Sequence, residues 1–503
     1  MKSQTRVLQK FARGAVVAAF LVLVGCGSNG SSNPATTIST GPYVPTGFNW
    51  KACDDSASTT TVQCSTLQVP FDYNNPSAGT FTLYVKLLPA ANPTLRIGSM
   101  MVNPGGPGFG GSSLADDASY YFSSDITDHF DIIAWDPRGT GKSTPAIDCV
   151  DDYDEYFGID SPPDSPEEKQ ALIDASQAFN DECMANSGEI LPYISTQASA
   201  TDMNSIRQAL GEDKISYFGF SYGSELGATW ATMFPQTVRA AVFDGAVDPQ
   251  ATSSQEGMAQ AGGFEGQLTT FLATCSKNNA CAFYNGGKAE AAFDSLLLAL
   301  DAKPLVVSAD RTPVTQGVAF TAVSQAMYSD SYWSQLEQAL ADAQQGDGSG
   351  LLKLYDDYYQ RQEDGSYGNE LEAFLAISCL DDPGSTSIKE VEDAVPDFVA
   401  AAPRLGANFG YGYSCALWPV EPAIKIDVTG KGAGPIVVIG TTGDPATPLA
   451  STRKMAAALE QGVLLIVEAN QHTGYGANEC INTAVDSYLI DLTVPVSETT
   501  CKS

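Results

Sequence analysis

The sequence predicts an α/β fold: a mostly parallel sheet of about eight strands, flanked by helices and interrupted by one long helical insertion. Three observations predict it. Short apolar runs bounded by Gly, Pro or Asp recur before residue 250 and again after residue 430. Helical patterns alternate with them, as parallel strands joined by crossovers require. From about Gln250 to Val428 the strand-like runs become rare and helical spacing takes over.

At the N-terminus, Lys2, Arg6, Lys10 and Arg13 precede an apolar stretch from Ala15 to Val24. This is a secretory signal pattern, too short for a spanning helix. It ends in Leu23-Val24-Gly25-Cys26, which resembles a bacterial lipobox. That resemblance implies cleavage before Cys26 and a lipid anchor on it, at the outer face of the cell membrane or on an outer membrane. Residues 26–47 are rich in Ser, Thr, Asn, Gly and Pro, a flexible tether with a reach of about 25 Å. The organisation expected is then signal peptide 1–25, tether 26–47, first core segment 48–249, helical cap 250–429 and second core segment 430–503.

Within the core, Gln68–Tyr73 and Thr80–Leu88 alternate polar and apolar residues, as an antiparallel pair would. Ser99–Val102, Phe130–Trp135, Ile215–Phe220, Ala240–Phe243, Pro435–Gly440 and Gly462–Glu468 read as buried parallel strands. Thr201–Leu210 reads as a helix capped by Thr201 or Asp202 and stopped by Gly211. In the insertion, Ala289–Leu300, Trp333–Ala343, Leu351–Tyr359 and Glu370–Leu380 have helical spacing, with Trp333, Leu336 and Leu340 on one face. This segment is expected to lie over the site as a lid.

The formal charge is −33, and loss of residues 1–25, with four basic and no acidic residues, would bring it to −37. Such a chain repels nucleic acid and anionic lipid. Cys26 aside, ten cysteines remain. An even number in an exported chain argues for disulfides. Sequence does not determine their connectivity, but neighbours in chain order form five local couples: 53–64, 149–183, 275–281, 379–415 and 480–501. With no Cys-x-x-Cys pair or His/Cys cluster, no metal or other cofactor is expected.

Gly219-Phe220-Ser221-Tyr222-Gly223 lies between a strand and a helical stretch, Leu226–Phe234. Alone this pentapeptide is a weak signal. In a strand–turn–helix context it is a nucleophile elbow, which places Ser221 at the positive end of a helix. A serine hydroxyl needs a base beside it, and the chain has two histidines. His129 precedes a strand, on the side away from strand C-terminal ends. His472 follows the last apolar run, Val463–Val467, where α/β active sites form. Asp444 stands in the turn after Ile436–Gly440, so Ser221, Asp444 and His472 follow the expected chain order. In Asn103-Pro104-Gly105-Gly106-Pro107-Gly108, the Gly106 N–H pairs with that of Tyr222 as the expected oxyanion donors. Arg138-Gly139-Thr140-Gly141-Lys142-Ser143 is not a phosphate loop, because Asp136 stands where its first glycine belongs.

These motifs, with Asp136-Pro137-Arg138-Gly139-Thr140-Gly141, Asp244-Gly245, Cys379-Leu380-Asp381, Gly443-Asp444-Pro445 and the Cys480…Cys501 tail, resemble the exported tripeptidyl-aminopeptidase branch of the α/β-hydrolases, relatives of proline iminopeptidases. The likeness runs from about Trp50 to Cys501. It implies an α/β-hydrolase fold and release of short peptides from free N-termini through an acyl-enzyme. It also implies a carboxylate for the substrate ammonium, and Asp381 matches the family's Cys-x-Asp position. The rival readings are an esterase or lipase with the same triad, and a non-catalytic binding lipoprotein.

Overall fold

The computed structural model describes residues 43–54 and 61–502. Cys26, the signal pattern and most of the tether lie outside them. The sheet strands are β1 (Lys51–Ala52), β2 (Gln63–Asp72), β3 (Asn75–Leu88), β4 (Gly98–Asn103), β5 (Phe130–Asp136), β6 (Ile215–Phe220), β7 (Val238–Asp244), β8 (Ile436–Thr441), β9 (Gly462–Glu468) and β10 (Thr499–Lys502). They form one sheet in the order β1-β2-β3-β5-β4-β6-β7-β8-β9-β10. Pairing is antiparallel from β1 through β3 to β5 and parallel from there to β10.

The eight expected strands are all present, and the sheet has ten. The two additions sit at its edges. β1 has two residues and β10 four, too few for a periodic pattern to register. Their pairing is dictated by the open edges of β2 and β9. The helix read at Thr201–Leu210 starts earlier, at Thr196, with Ser195 as its cap. Gly211 ends it in the left-handed conformation, φ +74°.

The central strands are buried along their length because both faces are covered. On β6, Ile215 and Tyr217 join one core and Phe218 and Phe220 the other. On β8, Ile436 and Val438 face the first and Val437 and Ile439 the second. This period of two explains why the runs read as continuous apolar stretches.

Between β7 and β8 the helices Ser253–Lys277, Ala289–Ala302, Gln316–Met327, Trp333–Gln344 and Ser349–Tyr358 build a separate core around Phe264, Phe271, Phe293, Leu336, Leu340 and Tyr355. The helix Glu370–Asp381 behaves differently. Its Ala373, Ala376, Ile377 and Leu380 pack into the sheet's core. All five chain-order disulfides form. No helix of the described residues is long and apolar enough to cross a membrane.

Candidate active site

Ser221 sits between β6 and the helix Gly223–Met233 with φ +55°. A non-glycine residue held there stores roughly 1–3 kcal/mol of strain. Two contacts enforce it. The Ser221 N–H donates to the carbonyl of Asp244 at 2.8 Å, and the Ser224 N–H donates back to the Ser221 carbonyl at 2.8 Å. Gly219 is required because a Cβ there would lie 2.3 Å from the Gly223 carbonyl oxygen. Gly105, at φ +103°, brings the Asn103–Gly108 loop against the elbow. A Cβ on it would fall 2.8 Å from that of Ser221.

His472 occupies the loop after β9. Its Nδ1 lies 2.8 and 3.0 Å from the two oxygens of Asp444. Asp444 is buried, and also accepts the N–H groups of Ala446 (3.0 Å) and Thr447 (2.8 Å) and the Thr447 hydroxyl (3.0 Å). The carboxylate is thereby held in one orientation toward the ring. Burial opposes charge on His472, but the charge and hydrogen bond of Asp444, with the charge of Asp244 beyond, outweigh it and raise the imidazole above its ordinary 6.5.

Ser221, Gly106 and Tyr222 line one cavity of about 270 Å³, together with Thr447. Thr447 connects that cavity to the acid–base pair, since its hydroxyl lies 3.3 Å from His472 Nδ1. Asp381 lines the same cavity, where its oxygens accept the Thr196 N–H at 3.0 and 3.2 Å and the Thr196 hydroxyl at 2.6 Å. The Tyr222 hydroxyl in turn meets Thr196 Oγ1. Asp381 thus braces the residue after the nucleophile. Burial pushes its carboxyl up to about 7.

The cavity wall is acidic. Glu225, Asp248, Glu256 and Asp382 join Asp381, against the single cation Lys425. Lys425 lies 3.8 Å from Glu225. Both oxygens of Glu256 are buried and make no hydrogen bond of ordinary geometry. Burial, then the charges of Asp248 and Glu225, push that carboxyl up to about 7. His129 lies at the entry to β5, with Nδ1 on the Asp125 carbonyl, in a different part of the fold.

The sequence pattern assigns no role to Thr447, Asp244 or Glu256. An Asp-x-x-Thr turn after a strand was the available signal for Thr447. Asp244-Gly245 at a strand end marked Asp244 without indicating a role. Glu256, in the first turn of the helix Ser253–Lys277, carried no local signal at all.

Residues 98–475 match the family described as alpha/beta hydrolase fold. The chain belongs to that family. It is an enzyme fold. The serine protease Hip1 of Mycobacterium tuberculosis is 33% identical over 513 residues, covering 97% of this chain and 96% of that one. Carboxylesterase B of the same organism is 34% identical over 480 residues, covering 92% and 91%. The tripeptidyl aminopeptidase of Streptomyces lividans is 30% identical over 473 residues, covering 90% and 86%.

Proposed function

We propose that this α/β-hydrolase is a serine exopeptidase that releases short peptides from free N-termini. Ser221 Oγ attacks the scissile carbonyl while His472 takes its proton and later gives it to the leaving amine. Asp444 holds the imidazole tautomer and stabilises the imidazolium. The N–H groups of Gly106 and Tyr222 receive the developing oxyanion; losing one such donor typically costs about 3–4 kcal/mol. Water then releases the acyl group.

The bidentate approach of Asp444 to His472, in a fold that sets Ser221 on a strained elbow, carries the hydrolase reading. The acidic cavity wall supports the peptidase reading. A substrate ammonium would find carboxylates there, and Glu256 is one whose two oxygens are both buried with no side-chain hydrogen bond. Asp381 remains in reach of the same cavity, but with part of its hydrogen-bonding capacity spent on Thr196. A desolvated charge pair of this kind is worth roughly 2–5 kcal/mol on truncation. The five disulfides support an exported enzyme, tethered through Cys26 and the segment 26–47, with residues 250–429 as cap.

One observation favours esterase activity as the second reading: the 34% identity to a carboxylesterase. Hydrolysis of a tripeptidyl anilide, its N-acetylated form and acyl esters, by the native chain and Ser221→Ala, separates the two. The exopeptidase reading expects the free anilide to be cut fastest, with KM raised in Glu256→Gln more than in Asp381→Asn. Equal rates on free and acetylated peptide would remove the amine anchor, and faster ester hydrolysis would favour the esterase.

A further inference from the structure

β7 ends at Asp244, a residue with 0% exposure. Its three acceptor atoms all face the two loops that carry Ser221 and His472. The backbone carbonyl takes the Ser221 N–H at 2.8 Å. Oδ1 takes the Gly474 N–H at 2.7 Å and Oδ2 the Tyr475 N–H at 2.8 Å. A single residue therefore bonds the elbow and the histidine loop.

Both loops need restraint. Ser221 and Thr473 are non-glycine residues at φ +55° and +69°, conformations that persist only where surrounding bonds over-determine them. The next residue, Gly245, makes room for the ring, since a Cβ there would lie 3.0 Å from His472 Cε1. A carboxylate suits this place better than an amide. Two converging N–H groups need two acceptor oxygens, and an asparagine would turn its NH₂ toward one of them.

From these contacts we infer that Asp244 is a positioning residue for catalysis: it locks the histidine loop onto the nucleophile elbow and adds a second negative charge behind the imidazole. The inference rests on the reading of Ser221 and His472 as nucleophile and base. The charged groups facing His472 are Asp444 and Asp244, while Tyr328 from the insertion and Thr447 are neutral neighbours. Facing Asp244 are His472 and Asp444. Burial pushes the Asp244 carboxyl up to about 7, and the two backbone N–H groups and the His472 charge oppose that rise. The two groups thus favour each other's charged form.

The chain's two histidines make the test clean. In a His129→Gln background with 13Cε1-labelled histidine, one imidazole signal reports His472 without reference to activity. Asp244→Asn should lower its titration midpoint and cut kcat by about 10²-fold, the scale of a 1 Å misplacement, with KM little changed. An unmoved midpoint together with an unchanged kcat would overturn the proposal. If Asp244→Asn does not fold, hydrogen exchange of the native enzyme decides. The backbone N–H groups of Ser221, Gly474 and Tyr475 should exchange equally slowly, as one cooperative unit. Fast exchange at Gly474 and Tyr475 beside a slow Ser221 would sink the coupling. Full activity in Ser221→Ala would instead show that the catalytic reading is at fault.

Discussion

At the scale of single residues, the proposed mechanism makes the Asp444–His472 pair set the working pH. As the proposed base, the imidazole would accept the Ser221 proton only when neutral, and its pKa is raised above the ordinary 6.5. Activity should therefore be lost as pH falls through a midpoint above 6.5, read as the acid limb of kcat/KM. Asp444→Asn removes the main charge that raises it. The limb should then move to lower pH, and kcat should drop about 10⁴-fold as the ring loses its tautomer. A variant with the native profile would mean that another group titrates. Thr447 accounts for part of the precision here, because its N–H and hydroxyl hold the carboxylate while its side chain faces the cavity.

At the scale of elements, the inserted helices hydrogen-bond the loops that carry Asp444 and His472. From the helix Ser253–Lys277, the Gln267 side chain donates to the Gly443 carbonyl and that of Gln260 to the Ala446 carbonyl, on either side of Asp444. After the helix Gln316–Met327, the Tyr328 carbonyl accepts the His472 N–H at 2.8 Å, and the Asp330 N–H donates to Asn470 at 3.2 Å. A lid that swung away as one body would have to break these bonds. If the insertion is the proposed cap, these bonds make it a fixed one. Each bond is worth about 1 kcal/mol. If these bonds position Asp444, the double variant Gln260→Ala/Gln267→Ala should lower kcat by about tenfold or more, as misplaced reacting groups do, while leaving the disulfides and the sheet intact. Steady-state kinetics with circular dichroism checks it; an unchanged kcat would return the cap to the role of a simple cover.

For the whole molecule, acidity and burial combine to make stability depend on pH in an unusual sense. The carboxyls of Asp244, Glu256, Glu372 and Asp381 are each pushed up to about 7, in every case chiefly by burial. Their unfolded values are near 4, so the folded state binds their protons more tightly. The stability they confer is fully present below about pH 4 and is lost as pH rises through about 7. The raised imidazole of His472 acts in the same direction, and a net charge of −33 adds self-repulsion as carboxyls ionise. Thermal melts should give a higher midpoint at pH 5 than at pH 8. A midpoint that rose across that interval would show that these carboxyls are not buried as the fold places them.

Much of this molecule is legible in local patterns of residue order. Apolar runs of strand length, the Gly-x-Ser-x-Gly turn, a scarce histidine after the last long strand and cysteines paired by proximity all report short-range constraints, and short-range chemistry reads directly from residue order. Tertiary structure alone decided the rest. β10 exists because β9 offers an open edge. The helix Glu370–Asp381 packs on the sheet because Ala373, Ala376, Ile377 and Leu380 meet that face. Asp244 takes its part from Gly474 and Tyr475, far away in sequence, and Glu256 from the buried wall where Glu225, Asp248 and Lys425 surround it. A carboxylate's task depends on what surrounds it, and only packing brings those surroundings together.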